Sequence, residues 1–479
     1  MLDLGLAAFL VGFLALGIRR PFLWVLAYLY VDILSPQKIS WSLLTTLPIS
    51  LIVFFAAFVG WLFIDGKKGA NFGFRQVLLL ILLIYCGITT ISADFPVEAA
   101  LKWDWVWKAL VFAIFLPLAL RTRLRIEAAA LVMVLSAGAI VICGGIKTAI
   151  GGGGYGMLKF FVNDNLGLYE GSTLSTVAIA IIPLIVWLAK YGTVFPKGKL
   201  VTLFAAALVF ACLLIPIGTQ TRTGLVCIAL LGVMSLRSVK RRFLYIATVG
   251  LLVVVAIPLL PDSYTKRMNT IENHQSDASA STRVAVWKWT LAYAGDHPFG
   301  GGFDAFRGNK IVVESRSVKD SGSVATIDVG TTTDKGRAYH SAYFEMLGEQ
   351  GWPGLFIWLL LHGLGLIQLE GVQRRLRNSD AAKDKCDASL ASALQQGHII
   401  YLLGALFIGI AYQPFVYMLI GLQIALVQQV KRRHRLPMRR PGELLRQAAA
   451  ARAAARTAER TAARAAERTA ARTTVDVSA

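Results

Sequence analysis

Charge is what this chain has least of. Only 16% of its 479 residues are Asp, Glu, Lys or Arg, against 56% hydrophobic residues, and the mean hydropathy is +0.59. A soluble domain of this length cannot hide so much apolar surface, so composition excludes that class and points to an integral membrane protein. Acidic residues are the scarcer sign, 28 against 49 Lys and Arg. They do not cluster: Asp104 in KWDWVWK and Asp164 in VNDN stand apart, which argues against a metal held by grouped carboxylates. Cys86, Cys143, Cys212 and Cys227 fall in apolar runs, and with Cys386 they form neither a disulfide framework nor a metal-ligand spacing. The alternation of a β-barrel is missing. No GK[ST] follows Gly300 to Gly302, so a nucleotide phosphate loop is excluded.

What is there is a long series of continuous apolar runs, from the first residues to about Val430, with no cleavable signal pattern leading into a soluble body. Helices are expected near 2–18, 22–34, 47–64, 76–92, 105–120, 126–149, 172–190, 199–217, 223–236, 243–260, 341–369, 396–412 and 414–430. The expectation is an all-α polytopic membrane protein of about 12–13 transmembrane helices, with one large extracytoplasmic loop before the last three. The net charge of +21 would suggest nucleic acid in a soluble protein. Here its use is orientation, and no nucleic-acid partner is expected. Basic clusters at Arg19–Arg20, Lys67–Arg75, Arg121–Arg125, Lys190–Lys199, Arg237–Arg242, Arg374–Arg377 and Lys431–Arg440 fall in every second connection. By the positive-inside rule those connections and the C-terminus are cytoplasmic, in a bacterial inner membrane, and the alternate connections face the periplasm or cell exterior.

Five regions follow: 1–150, N-terminal helices; 151–260, central helices; 261–340, the extracytoplasmic loop; 341–430, C-terminal helices; and 431–479, a basic tail. Outward segments include the glycine run Gly151–Gly154 with VNDN, the short turn holding Arg222, and the loop, whose polar stretch SRSVKDSGSVATIDVGTTT reads as mobile. In the tail, Arg452, Arg456, Arg460, Arg464, Arg468 and Arg472 recur every four residues among Ala, Thr and Glu, a helix-prone basic stripe suited to membrane lipid headgroups.

The outward turn PIGTQTRTGL raises the sharpest question, because an arginine there needs a reason. Arg222 could merely snorkel to the interface. It has company: Arg283 in STRVAVWKW, with Val284, Trp287 and Lys288 following at helical spacing, and His340 opening a helix with Tyr343 and Phe344 one turn on. Guanidiniums give permanent, bidentate contacts to phosphate oxygens without a metal. Histidine suits proton transfer near neutral pH. Gln220, Thr221, Ser341, Tyr343, Glu345, His297 and Arg337 complete the candidate substrate-binding set. For several of these a structural role competes. His297 precedes Pro298 and a glycine run, which favours shaping a turn; Glu345 and Glu349 suit the start of a helix by its dipole, or could hold an arginine; Arg337 reads as a surface charge before a third phosphate ligand. His362 and Tyr401, inside apolar runs, read as satisfied interhelical groups.

The order QTRTG, STR with a following tryptophan, DHPFGGGFDAF, and a His-Ser running into GEQGWPG resembles the O-antigen ligase and polymerase superfamily over about residues 200–370. The N-terminal RRPFLWVLAYLYVDILSPQKISW is similar to the O-glycosylation ligase subgroup associated with exosortase systems. The resemblance implies a membrane glycosyltransferase acting on a glycan linked to a polyprenyl (undecaprenyl) diphosphate, with transfer to a hydroxyl acceptor on a glycan, lipid or protein, inversion at the anomeric carbon and no cofactor. Carried over, Arg222 and Arg283 hold the diphosphate and His340 takes the acceptor's proton. Where the family commonly has Asn after the histidine, this chain has Ser341. A polymerase would share the donor site, and a lipid-linked glycan transporter is the reading from another class.

Overall fold

The computed structural model describes residues 2–40, 44–67, 69–150, 167–236, 278–320, 325–434, and 453, 454, 456 and 457. The expected span at 243–260, the run 151–154 with VNDN, the cluster at 237–242 and the tail arginines other than Arg456 lie outside these residues. The chain is an all-α polytopic membrane protein. Its helices are α1 (Leu2–Arg19), α2 (Phe22–Leu34), α3 (Pro36–Ile39), α4 (Ile49–Phe63), α5 (Phe74–Ile91), α6 (Pro96–Ala119) and α7 (Arg123–Ile150). There follow α8 (Gly171–Tyr191), α9 (Lys199–Gly218), α10 (Arg222–Leu236), α11 (Ala278–Asp296), α12 (Ala342–Leu376), α13 (Ala382–Gly404) and α14 (Pro414–Arg433). Among the described residues, six of them (α5, α7, α8, α9, α12 and α14) are long and apolar enough to cross a membrane, and α2, α4 and α10 are shorter apolar helices. By contact the chain divides into Met1–Gln429 and Val430–Ala479; in the second unit the described residues are the end of α14 and a few helical tail residues.

The basic connections meet at one end of the bundle. Arg121 and Arg125, at the turn into α7, donate to Asp65 after α4 at 2.7 and 2.5 Å. Arg123 reaches Cys386 in the first turns of α13, and Glu127 accepts from the Thr193 hydroxyl and the Val194 amide beyond α8. Four connections that carry the charge therefore share an end, as alternation requires.

Two sequence expectations change. Arg75, counted with a basic connection, is 1% exposed: its Nη2 donates to Gln423 Oε1 at 2.9 Å across to α14. Gln423 Nε2 lies 2.9 Å from His398 Nδ1, and His398 Nε2 lies 2.6 Å from His362 Nδ1. Because the amide nitrogen must donate, neutral His398 carries its proton on Nε2 and passes a hydrogen bond to His362. Tyr401 donates to the Ile410 carbonyl at 2.9 Å, so His362 and Tyr401 are interhelical groups with partners. The second change is at 396–412, where the helix stops at Gly404 and residues 405–413 turn without regular structure. An apolar run can leave the helix there because side chains serve its backbone: Trp358 and Tyr417 donate to the Ala411 carbonyl, and the Ala411 amide donates to Glu345.

The loop also differs from expectation. Part of the polar stretch read as mobile pairs as two antiparallel strands, β1 (Lys310–Asp320) and β2 (Ala325–Lys335). Val and Ile recur along both segments and Thr along β2, and β-branched residues favour this conformation.

Candidate functional site

At the end opposite the basic connections, two glycine motifs lock together. The turn after α11 donates from Gly301 N to Gly348 O and from Gly302 N to Glu349 O, at 3.1 and 2.9 Å, while Trp352 N donates back to Pro298 O at 3.0 Å. This clasp seats on a kink of α12 at Gly351, which has φ +62. A Cβ on Gly351 would lie 2.2 Å from the Pro298 carbonyl oxygen, and one on Gly300 would lie 2.5 Å from Glu349 O. GGG and GEQG are therefore two halves of one contact. We expect Gly351→Ala to destabilise the protein by about 2–4 kcal/mol, from the left-handed backbone and the backbone clash together; thermal unfolding in detergent would read it.

Helix α11 docks by its aromatic face. Trp287 stacks on Phe344 of α12 with ring centroids 5.0 Å apart, and its Nε1 donates to the Tyr339 carbonyl at 2.9 Å. Val286, Ile311 and Tyr339 form the small core beneath. Arg283 lies one turn before Trp287 on the same helix, and its charge acts on His340, the residue after Tyr339. The electrostatics agree: partial burial lowers the His340 pKa, Arg283 and Arg337 lower it further, and Glu170 opposes them. His340 remains accessible to solvent and is held neutral at neutral pH.

Glu170 connects the third motif. Its carboxylate caps α8, accepting from the Ser172 and Thr173 amides at 3.0 and 2.6 Å. The next residue, Gly171, packs against Thr219 and Thr221, whose hydroxyls share a triad with Ser175 at 2.7 to 3.1 Å. The QTRTG turn is thus fixed to the start of α8, and Arg222 opens α10 from it. Among the described residues, non-glycine positive φ occurs at Ser35, Gln220 (51), Asp304 (59) and His340 (48). Three of the four stand in this region. Such backbone costs about 1–3 kcal/mol each and persists where surrounding structure enforces it, commonly at functional sites.

The remaining sequence candidates divide. Ser341 is buried at the N-cap of α12 without a side-chain cap bond. Tyr343 turns into the bundle, donating to Leu402 O at 3.2 Å and meeting Trp358 edge-on. His297 stacks on Tyr293 at 4.3 Å, and its carbonyl accepts from Gly300 N, so it does shape the turn. Arg337 is an exposed residue paired with Asp334 at 2.6 Å. Glu345 is engaged by Lys102 of α6 at 2.7 Å and by the Ala411 amide at 3.0 Å.

Sequence reasoning missed Glu170 and Lys102. The first had a local signal, an acid followed by Gly-Ser-Thr at the start of an apolar run. Lys102 had none, since its partners lie over 200 positions away.

The fold and these motifs define a polytopic membrane protein with polar, arginine-bearing motifs at one end of a helical bundle. Residues 206–359 match the family described as O-Antigen ligase, which supports the O-antigen ligase superfamily for this chain and points to an enzyme of membrane glycan ligase or polymerase type. Residues 1–193 match a family of unknown function, DUF5935. No curated protein matches the chain.

Proposed function

We propose that this protein transfers a glycan from a polyprenyl diphosphate carrier to an acceptor hydroxyl at the extracytoplasmic face of the inner membrane, without a metal and with inversion. The observation that carries the reading is the docking of α11 onto the start of α12, which sets Arg283 against a neutral His340. His340 accepts the proton of the acceptor hydroxyl, the oxygen attacks the anomeric carbon, and the bond to the diphosphate breaks. Charge then grows on the leaving polyprenyl diphosphate, where preorganised guanidiniums stabilise it. Arg222, which opens α10 directly after the QTRTG turn, serves with Arg283 in that role, and Gln220 and Thr221 belong to the buried turn that holds it. The basic connections, gathered at the other end, support an extracytoplasmic position for this site. The N-terminal resemblance keeps the exosortase-associated O-glycosylation ligases as the proposed subgroup.

The test is transfer of a radiolabelled glycan from its polyprenyl diphosphate to a panel of acceptors by purified protein in detergent, with and without chelator. Label on one acceptor, indifferent to chelator and lost in Arg222→Ala, Arg283→Ala and His340→Asn, is the expected result. A product ladder growing by repeat units would mean the polymerase reading instead. Arg75 and the histidine pair, buried among helices, favour a lipid-linked glycan transporter as the second reading; donor binding with no transfer to any acceptor would support it.

A further inference from the structure

Lys102 stands where three separate parts of the chain meet. It belongs to α6, in the N-terminal region matched to the family of unknown function. Its Nζ lies 2.7 Å from Glu345 and 2.8 Å from Glu349 of α12, and 3.7 Å from Asp304 in the loop after the glycine clasp. Glu349 is 0% exposed, and also accepts from the Asp304 amide at 3.0 Å. The ammonium sits over the rings of Phe303 and Tyr412, 5.6 and 5.1 Å from their centroids. One cation is thus surrounded by three carboxylates and two π faces, in a setting that leaves its side chain 13% exposed.

From this geometry we propose that Lys102 is a positioning residue for the transfer reaction, and that the N-terminal region acts on the ligase-like region through it. The inference rests on the function proposed above. Without the ammonium, Glu345, Glu349 and Asp304 face one another as like charges in a poorly hydrated space and must separate or take up protons. Glu345 and Glu349 lie on the first two turns of α12, and the kink at Gly351 closes that segment against the clasp. His340 precedes the same segment by two residues. Loss of Lys102 therefore loosens the start of α12 and the clasp together, and moves His340 relative to Arg283, which sits on α11 at the other end of the Trp287 contact. Donor affinity depends on guanidiniums that Lys102 does not touch, so the effect belongs in turnover. A displacement on the scale of 1 Å at a reacting group costs about 100-fold.

The experiment compares wild type with Lys102→Met and Lys102→Arg, with Lys108→Met as a control, because Lys108 of the same helix pairs with the exposed Asp104 at 3.0 Å. Two readouts are taken: kcat and donor KM for glycan transfer, and peptide-level hydrogen exchange over 298–306 and 338–349. The expected result for Lys102→Met is kcat reduced about 100-fold with donor KM little changed and faster exchange confined to those two segments. Lys102→Arg should restore most of both, and Lys108→Met should alter neither. Unchanged kcat in Lys102→Met, a loss expressed in KM alone, or exchange accelerated evenly along α7–α9 as well would overturn the proposal. If Lys102→Met yields no folded protein, Glu349→Gln carries the test, with the same local exchange pattern and a smaller kcat loss expected. Exchange keeps the inference separate from the transferase reading. Should wild type transfer no glycan, local loosening reversed by arginine still upholds the clamp on α12, and wild-type exchange in Lys102→Met refutes it.

Discussion

Arg283→Ala lowers glycan transfer at saturating donor by about 10²–10³-fold, the range found when one preorganised donor to a developing negative charge is removed. Arg283→Lys recovers only part, because an ammonium is a point charge and cannot grip two phosphate oxygens in a plane. A second signature separates this from damage to the fold. Arg283 is one of the groups that hold the His340 pKa below its ordinary value, so removing it lets that pKa rise. The acid limb of the residual activity then moves to higher pH. A large loss with the acid limb unmoved would mean that Arg283 and His340 do not share a site. Trp287, one turn away, offers the structural contrast: Trp287→Phe keeps the stacking on Phe344 but drops the bond to the Tyr339 carbonyl.

The second large effect is at His340 itself. Loss of a general base costs about 10²–10⁴-fold. Alanine is a poor probe here, since φ of 48 at this position penalises any side chain with an ordinary Cβ. Asparagine tolerates left-handed backbone better, so His340→Asn keeps the turn while removing the base, and is expected to fall by the same factor with little change in melting temperature. The sign of the pH dependence follows from the lowered pKa. At pH 6.5 a free histidine is half protonated, whereas His340 is mostly neutral, so wild-type transfer persists through pH 6.5 and is lost only as pH falls through the depressed value. Bound diphosphate, being anionic, would raise that value in the donor complex. The limb for kcat should therefore lie at higher pH than the limb for kcat/KM. Coincident limbs would place the diphosphate away from His340.

Most helices were legible because membrane spans are written in unbroken apolar runs, and α8 and α9 match their windows to within a residue. α6 begins nine residues before its window because Pro96 and Glu98 start a helix that apolarity does not mark. The turn at 405–413 was hidden for the opposite reason: its sequence stays apolar while Tyr, Trp and Glu side chains from elsewhere replace its helical hydrogen bonds. The candidate site was half legible. Residue chemistry marks Arg222, Arg283 and His340 as a set, but the glycine motifs show their purpose only when Gly300 and Gly351 are seen nested. Lys102 could not be read at all, because nothing in KWDWVWK signals partners in another region.

Arg75 makes synthesis itself a constraint. The guanidinium enters with α5, while Gln423, its partner in the folded bundle, is 348 residues further along the chain. At about 5–20 residues per second of translation, roughly 20–70 s separate the two. Through that interval α5 carries a cation with no place among the helices, so the cell must hold it at the lipid–water boundary or in an insertase until α14 arrives. The N-terminal region and α14 are thus one unit of biogenesis, and a fragment ending before α14 would present the quality-control machinery with an arginine still waiting for its seat.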